Sequence, residues 1–240
     1  MVYQRNFYKK LFSSPLLDSF VGLFLPIGCH ICNRPLRENE SVICWSCESH
    51  LPFTGFESDP ENPVFQSIVG HIPIQGACAL LAYQRQGSVQ SLIHRLKYEN
   101  HPEIGRWAGQ LLGKKMLLAH PTLGFDGVVP VPMHPKKRAQ RGYNQAEELA
   151  HGMAEVLGCS VVHALTKLKS TGSQTKLKRV ERSLNTEGIF GLVGTTEIAH
   201  QRILLVDDVF TTGATLRAGL MQLQAAQPQS LWAATLAYAP

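Results

Sequence analysis

The sequence predicts an α/β fold: a parallel sheet with helices on both faces, preceded by a small cysteine-bearing module. Short aliphatic runs alternate with segments of helical periodicity from Ala77 onward, the signature of a βα repeat. The runs are continuously apolar, as strands buried on both faces must be. Four of the six cysteines fall in two C-x-x-C pairs near the start of the chain. With 240 residues, 44% of them hydrophobic and 17% charged, there is length for one α/β core plus a small module. The boundary is placed near residue 54, with residues 54–240 forming the main domain.

Taken in order, Arg5, Lys9 and Lys10 precede the apolar stretch Pro15 to Ile27, read as a short amphipathic helix over Pro15 to Phe24. A secretion signal fits poorly. Asp18 interrupts the run, Pro26 stands where a lipobox needs an aliphatic residue, and Cys29 already has a partner in Cys32. No run is long enough to span a membrane, and a cytoplasmic protein is expected.

Cys29, Cys32, Cys44 and Cys47 form two knuckles separated by eleven residues, a spacing able to close a tetrahedral site around structural Zn²⁺. A disulfide framework, a redox dithiol and an iron–sulfur cluster are the competing readings. Disulfide frameworks belong to small secreted domains, and neither a thioredoxin-like context nor ferredoxin spacing surrounds the pairs. His30, inside the first knuckle, is read as a spare residue, a support behind the metal ligands, or an exposed one. Arg34, Arg37 and Trp45 are available for contacts, although Glu38, Glu40 and Glu48 dilute any positive patch. Cys78 and Cys159 sit in apolar surroundings and are read as core.

Residues 54–76, with Asp59-Pro60, Asn62-Pro63 and Ile72-Pro73, read as a loop-rich connection. Ala77 to Tyr83 is a buried strand, and Ser88 to Tyr98 and Glu103 to Ala119 are helices. Gly127 to Val131 is a strand followed by a polar loop. Asn144 to Leu157 is a helix closed by Gly158, and Ser160 to Ala164 a short strand. Lys167 to Leu184 is polar, basic and without periodicity, hence a long surface loop. Ile203 to Val206, Thr215 to Gln224 and Leu231 to Ala237 complete the pattern as strand, helix and strand.

The most informative run is ILLVDDVFTTGATL, Ile203 to Leu216. In an open α/β sheet ligands bind beyond the carboxyl ends of the strands, where Asp207 and Asp208 fall. Two adjacent carboxylates there can accept hydrogen bonds from the vicinal hydroxyls of a ribose. Val209 and Phe210 then lead to Thr211, Thr212, Gly213, Ala214 and Thr215. These offer backbone N–H groups and hydroxyls at a helix N-terminus, where the dipole favours a phosphate and glycine lets it approach. An ordinary capped helix would explain neither the paired acids nor the excess of threonine.

This run resembles the motif by which type I phosphoribosyltransferases bind phosphoribosyl pyrophosphate (PRPP). Val128-Val129-Pro130-Val131-Pro132, Arg141-Gly142-Tyr143-Asn144-Gln145, then Gln174, Arg182, Asn185 and Phe190, extend the resemblance to the ComF/GntX family of competence-related proteins. Leu92-Ile93-His94, Leu96-Lys97-Tyr98 and the cysteine pairs match that family's layout too. The likeness covers the chain from about Cys29 to its end.

The resemblance implies a type I phosphoribosyltransferase-like sheet, with Asp207 and Asp208 as catalytic residues and residues 209–215 holding the 5-phosphate. The loop after Val131-Pro132, with Lys136, Lys137, Arg138 and Arg141, would meet pyrophosphate. A flexible loop from Lys167, with Lys169, Gln174, Lys176, Lys178, Arg179 and Arg182, would close over the ligand. Mg²⁺ would accompany PRPP, and residues 77–119 would form a hood, in which no nucleobase pocket is recognisable. No role is assigned to His94, His101, His134 or His151.

Two functions are compatible with this. One is a PRPP-binding, ComF-like protein that assists DNA uptake by handling incoming single-stranded DNA in the cytosol. The other is an active phosphoribosyltransferase with a nucleobase or amine as acceptor. The partners implied are PRPP or a nucleotide 5′-phosphate, with single-stranded DNA, competence proteins and a second copy of the chain as further candidates. The net charge of +5 suits a phosphate-rich ligand without deciding between them.

Overall fold

A computed structural model describes residues 28–168, 188–193 and 195–240. The expected helix over Pro15 to Phe24 lies outside them, as do Lys169, Gln174, Lys176, Lys178, Arg179, Arg182 and Asn185. In chain order the described elements are α1 (Trp45–Ser49), α2 (Pro63–Val69), β1 (Gly76–Ala82), α3 (Ser88–Tyr98), α4 (Pro102–Ala119), β2 (Gly127–Pro130), α5 (Pro135–Arg141), α6 (Gln145–Leu157), β3 (Ser160–Val161), β4 (Leu165–Lys167), β5 (Phe190–Leu192), α7 (Thr195–Ile198), β6 (Arg202–Phe210), α8 (Ala214–Gln224) and β7 (Ser230–Tyr238).

Five strands form one parallel sheet in the order β1-β7-β6-β2-β3, and β4 and β5 pair antiparallel in a separate ribbon. The aliphatic runs go where water is excluded: Ile203, Leu204, Leu205 and Val206 of β6 are all fully buried. One buried cluster joins α3, α4 and α6 to one sheet face, and a second joins α2, α8 and the ribbon to the other. The helix pair α4 and α6 packs so closely that a Cβ at Gly109 would lie 2.1 Å from the Leu149 carbonyl oxygen. At Gly152 a Cβ would lie 2.0 Å from the Arg106 carbonyl, so glycine on both helices permits the contact.

The cysteine-bearing segment shares this core. Cys29, Val42, Ile43, Cys44 and Leu51 belong to the same buried cluster as Leu92 and Leu112. Phe53 bridges Leu81, and Ala82 donates to the Pro52 carbonyl, so the chain near residue 54 is laid along the edge strand β1.

Several expectations are corrected. The supposed connection 54–76 contains α2, whose N-cap Asn62 accepts from the N–H groups of Val64 and Phe65, with Pro63 opening the helix. The polar loop after β2 is largely α5, opened by Pro135 and ended by Gly142 in the left-handed region at φ 87°. Lys167, expected to open a long surface loop, instead pairs with Phe190 in the ribbon. The strand expected over Ser160 to Ala164 is only Ser160–Val161. Residues 77–119, by contrast, form the strand and the two helices expected of them, with β1 apolar on both faces and paired with β7 along its length.

Candidate functional site: a crevice beyond the sheet and a four-thiolate cluster

β2 connects through α5 and α6 to β3 on one side, whereas β6 connects through α8 to β7 on the other. The connections diverge between β6 and β2, and a crevice opens beyond the carboxyl ends of the two strands. β2 stops at Pro130, opposite Val206, while β6 continues to Phe210 held by β7 alone. Among the described residues, therefore, no strand lies beside Asp207 and Asp208 on the β2 side. The strand is longer than its aliphatic run suggested, since pairing with β7 carries it through the polar residues.

Lys97, at the end of α3, places Nζ 2.7 Å from Asp208 Oδ2. Asp207 accepts the Asp208 backbone N–H at 2.8 Å. Burial, and then the neighbouring Asp208 carboxylate, push Asp207 up to about 7. Lys167 of β4 feels Asp207 and Lys137 of α5; its own burial moves it below the usual lysine range. Four distant segments thus supply charge to one place.

The helix mouth follows directly. Phe210 stacks on Tyr238 at 5.7 Å, which fixes the apolar step after the acids. Gly213 is the N-cap of α8 at φ 73° and has no side chain to cap the helix, and Thr212 Oγ1 accepts the Ala214 N–H at 3.5 Å. Thr211, Thr212 and Thr215 are exposed around its first turn, Gly213 is buried, and Ala214 and Val209 are partly buried. A Cβ at Gly213 would sit 2.9 Å from the Arg217 guanidinium and 3.0 Å from the Phe210 ring. The first-turn N–H groups and three hydroxyls make a mouth that suits a tetrahedral anion.

Of the basic residues expected beside it, Lys136, Lys137 and Arg138 are exposed on α5, and Arg138 pairs with Glu147 at 3.1 Å. Arg141 donates to Gln145 at 2.8 Å and lies 5.3 Å from the Tyr98 ring. Tyr98 is 68% exposed, next to Lys97. Lys97 and Tyr98 were legible only as part of a family pattern. Nothing in local spacing joins residue 97 to residue 208.

The cysteines converge separately. The four Sγ atoms lie within 4.8 Å of one another, and none is in a disulfide. Cys32 and Cys44 Sγ are 3.7 Å apart, close to the edge of about 3.8 Å that Zn–S bonds of ~2.3 Å give a tetrahedron. Cys29 Sγ accepts N–H groups of Ile31 and Cys44, and Cys44 Sγ that of Cys47. Burial opposes ionisation of Cys29, but N–H bonds from Cys32, Cys44 and Ile31 outweigh it and bring the thiol down to about 6. The donor set fits a metal such as zinc, which would be closed in by sulfur and therefore structural.

Residues 143–240 match the model of the phosphoribosyl transferase domain. Competence protein ComFC of Bacillus subtilis is 36% identical over 193 residues, 75% of this chain and 77% of its own. The chain belongs to the ComF family of phosphoribosyltransferase-like proteins. DNA utilization protein YhgH of Salmonella typhi is 29% identical to this ComF-family chain over 206 residues, covering 81% of it and 89% of the relative. Competence protein F of Haemophilus influenzae is 34% identical over 130 residues, 52% of this chain and 57% of that one. Within the ComF-family chain the matched domain begins at Tyr143, so it contains β6, the acids and the mouth of α8, but not Lys97. Among the described residues no helix is long and apolar enough to cross a membrane.

Proposed function

We propose that the protein binds the ribose 5-phosphate part of PRPP in the crevice between β6 and β2 and, in that state, handles single-stranded DNA entering the cytosol. One observation carries the sugar-phosphate half: the acid pair and the glycine-opened mouth of α8 are contiguous and lie at the point where the connections of the sheet diverge. Asp207 and Asp208 would accept from the ribose hydroxyls, and the N–H groups after Gly213 would hold the 5-phosphate. Mg²⁺ bound by the pyrophosphate would be placed by the same acids through its waters. Lys137, Lys167 and Arg141 would face the pyrophosphate charge.

The DNA half is supported by the relatives, whose names speak of competence and DNA utilization. It is also supported by the surface beside the crevice. Exposed Tyr98 with the guanidinium of Arg141 beside it offers a face on which a base can stack. Exposed Lys136 and Lys137 would follow the backbone phosphates.

A second reading, phosphoribosyl transfer to a base or amine, is favoured by the match to the phosphoribosyl transferase domain. Transfer through an oxocarbenium-like ribose asks the protein mainly to position reactants and stabilise charge, which needs no nucleophile. Pyrophosphate release with PRPP and Mg²⁺ across a panel of bases and amines, run beside DNA-binding titrations at several salt concentrations, separates the two. Salt-sensitive DNA binding without pyrophosphate release is the result expected. Turnover with one acceptor, without DNA binding, would replace the first reading by the second.

A further inference from the structure

Outside both sites, His30, His101 and Glu103 bring three ligand atoms within 4.8 Å of one another, and the group shares no residue with the four cysteines. His30 projects from the first knuckle, and His101 and Glu103 stand at the start of α4. Glu103 Oε1 is 2.8 Å from His101 Nδ1 and 3.2 Å from His30 Nε2. The two imidazoles cross at 62° with centroids 4.4 Å apart. His30 is 5% exposed, and no hydrogen bond of normal alignment reaches its Nε2 despite the close carboxylate.

We propose that these three side chains form a second metal site, taking a first-row divalent cation through two imidazole nitrogens and one carboxylate oxygen, with Zn²⁺ the favoured occupant. Bonds of about 2.0–2.2 Å to nitrogen and oxygen put tetrahedral ligands about 3.3 Å apart. The two nitrogen–oxygen separations, 2.8 and 3.2 Å, lie just inside that value, and the ligand atoms all fall within 4.8 Å of one another, so small side-chain shifts suffice to close the set around an ion. His101, partly exposed at the mouth of the cluster, supplies the movable ligand. Two imidazoles and a carboxylate leave a coordination position for water, so the site differs in kind from the closed thiolate cluster.

The position gives the ion a structural consequence. It would tie the first knuckle to the N-terminus of α4, directly after the turn that follows Lys97 and Tyr98. Tyr143 already ties down the last turn of α3, just before it, by donating to the Leu96 carbonyl. The metal would therefore hold the cysteine segment against the part of the fold that carries a lysine into the sugar-phosphate crevice.

The test uses the full chain, stripped of metal under reducing conditions and titrated with Co²⁺. Thiolate-bound cobalt gives intense charge-transfer absorption and nitrogen- or oxygen-bound cobalt does not. Saturation at about two equivalents is expected, the thiolate absorption being complete after the first. Glu103→Gln and, separately, His101→Ala should saturate at about one equivalent with the thiolate absorption unchanged, which also reports that the knuckles remain folded. Saturation of the native chain at one equivalent, or an undiminished second equivalent in both variants, would overturn the proposal.

Discussion

Cys29, Cys32, Cys44 and Cys47 come from one short stretch of chain and meet in one pocket, whereas the crevice beyond β6 draws Lys97 from α3, Lys137 from α5, Lys167 from β4 and the acids from β6. The first arrangement is specified by spacing and needs little beyond two tight knuckles. The second is specified by the order of strands in a sheet, so its members become neighbours only when the whole domain folds. A local site concentrates its stability in a few ligands. A site spread over the fold shares its cost among many elements, and single changes there should alter binding more than folding.

The largest effect expected is on the local side. Cys44→Ser removes one thiolate from a cluster in which Cys29 and Cys44 belong to the buried core shared with α4, so bound metal should fall sharply and Tm drop by roughly 10 °C. Metal analysis beside a thermal melt checks this. A variant that loses metal without loss of Tm would show that the module is stable unaided, and the contrast would fail.

Next in size is Gly213→Ala. The new Cβ would meet Arg217 and Phe210 at a positive φ, costing about 1–3 kcal/mol in stability and strain. Phosphate affinity should weaken about tenfold or more as the mouth of α8 distorts. Chemical denaturation and a ribose 5-phosphate titration would measure the two parts separately. Unchanged binding would remove the helix mouth from the site.

Lys97→Ala sharpens the comparison from the other side. Loss of its contact with Asp208 should weaken PRPP binding by about tenfold while metal content and Tm barely move. A large fall in Tm with unaltered affinity would make this ion pair structural instead.

The smallest effect is a pH dependence. Asp207 lies at about 7, raised by burial and then by Asp208, against an unfolded value of about 3.9. Between those values the folded state binds more protons than the unfolded one, so this group's contribution to stability falls as pH rises through the window and is level above it. A ribose hydroxyl donates to the ionised form. Affinity for ribose 5-phosphate should therefore increase several-fold from pH 6 to 8, and Asp207→Asn should keep only the shallower slope left by the ligand phosphate's own ionisation near pH 6.

The sequence showed the α/β alternation, the run from Ile203 to Leu216 and the cysteine spacing, because each is a local pattern with a physical cause. α3 was legible to its ends, Ser88 and Tyr98, because its apolar residues keep helical spacing and polar residues bound it. α5 was not, because Lys-Lys-Arg-Ala-Gln-Arg has no apolar face; only Pro135 at its start and Gly142 after it announce a helix. α2 was hidden among prolines, although Asn62-Pro63 is itself a start signal. Strand order is absent from any local pattern. The meeting of Lys97 with Asp208 and of His30 with Glu103 therefore could not be read before the fold was known.

The central claim is that the end of β6 and the mouth of α8 together hold a phosphorylated ribose. Isothermal titration of PRPP with Mg²⁺ into the native chain, and into the double variant Asp207→Asn with Asp208→Asn, tests it most directly. Saturable binding by the native chain is expected, weakened at least about thirtyfold in the double variant, with its thiolate-bound metal retained. Equal affinity in the two proteins, or no saturation in the native one, would contradict it.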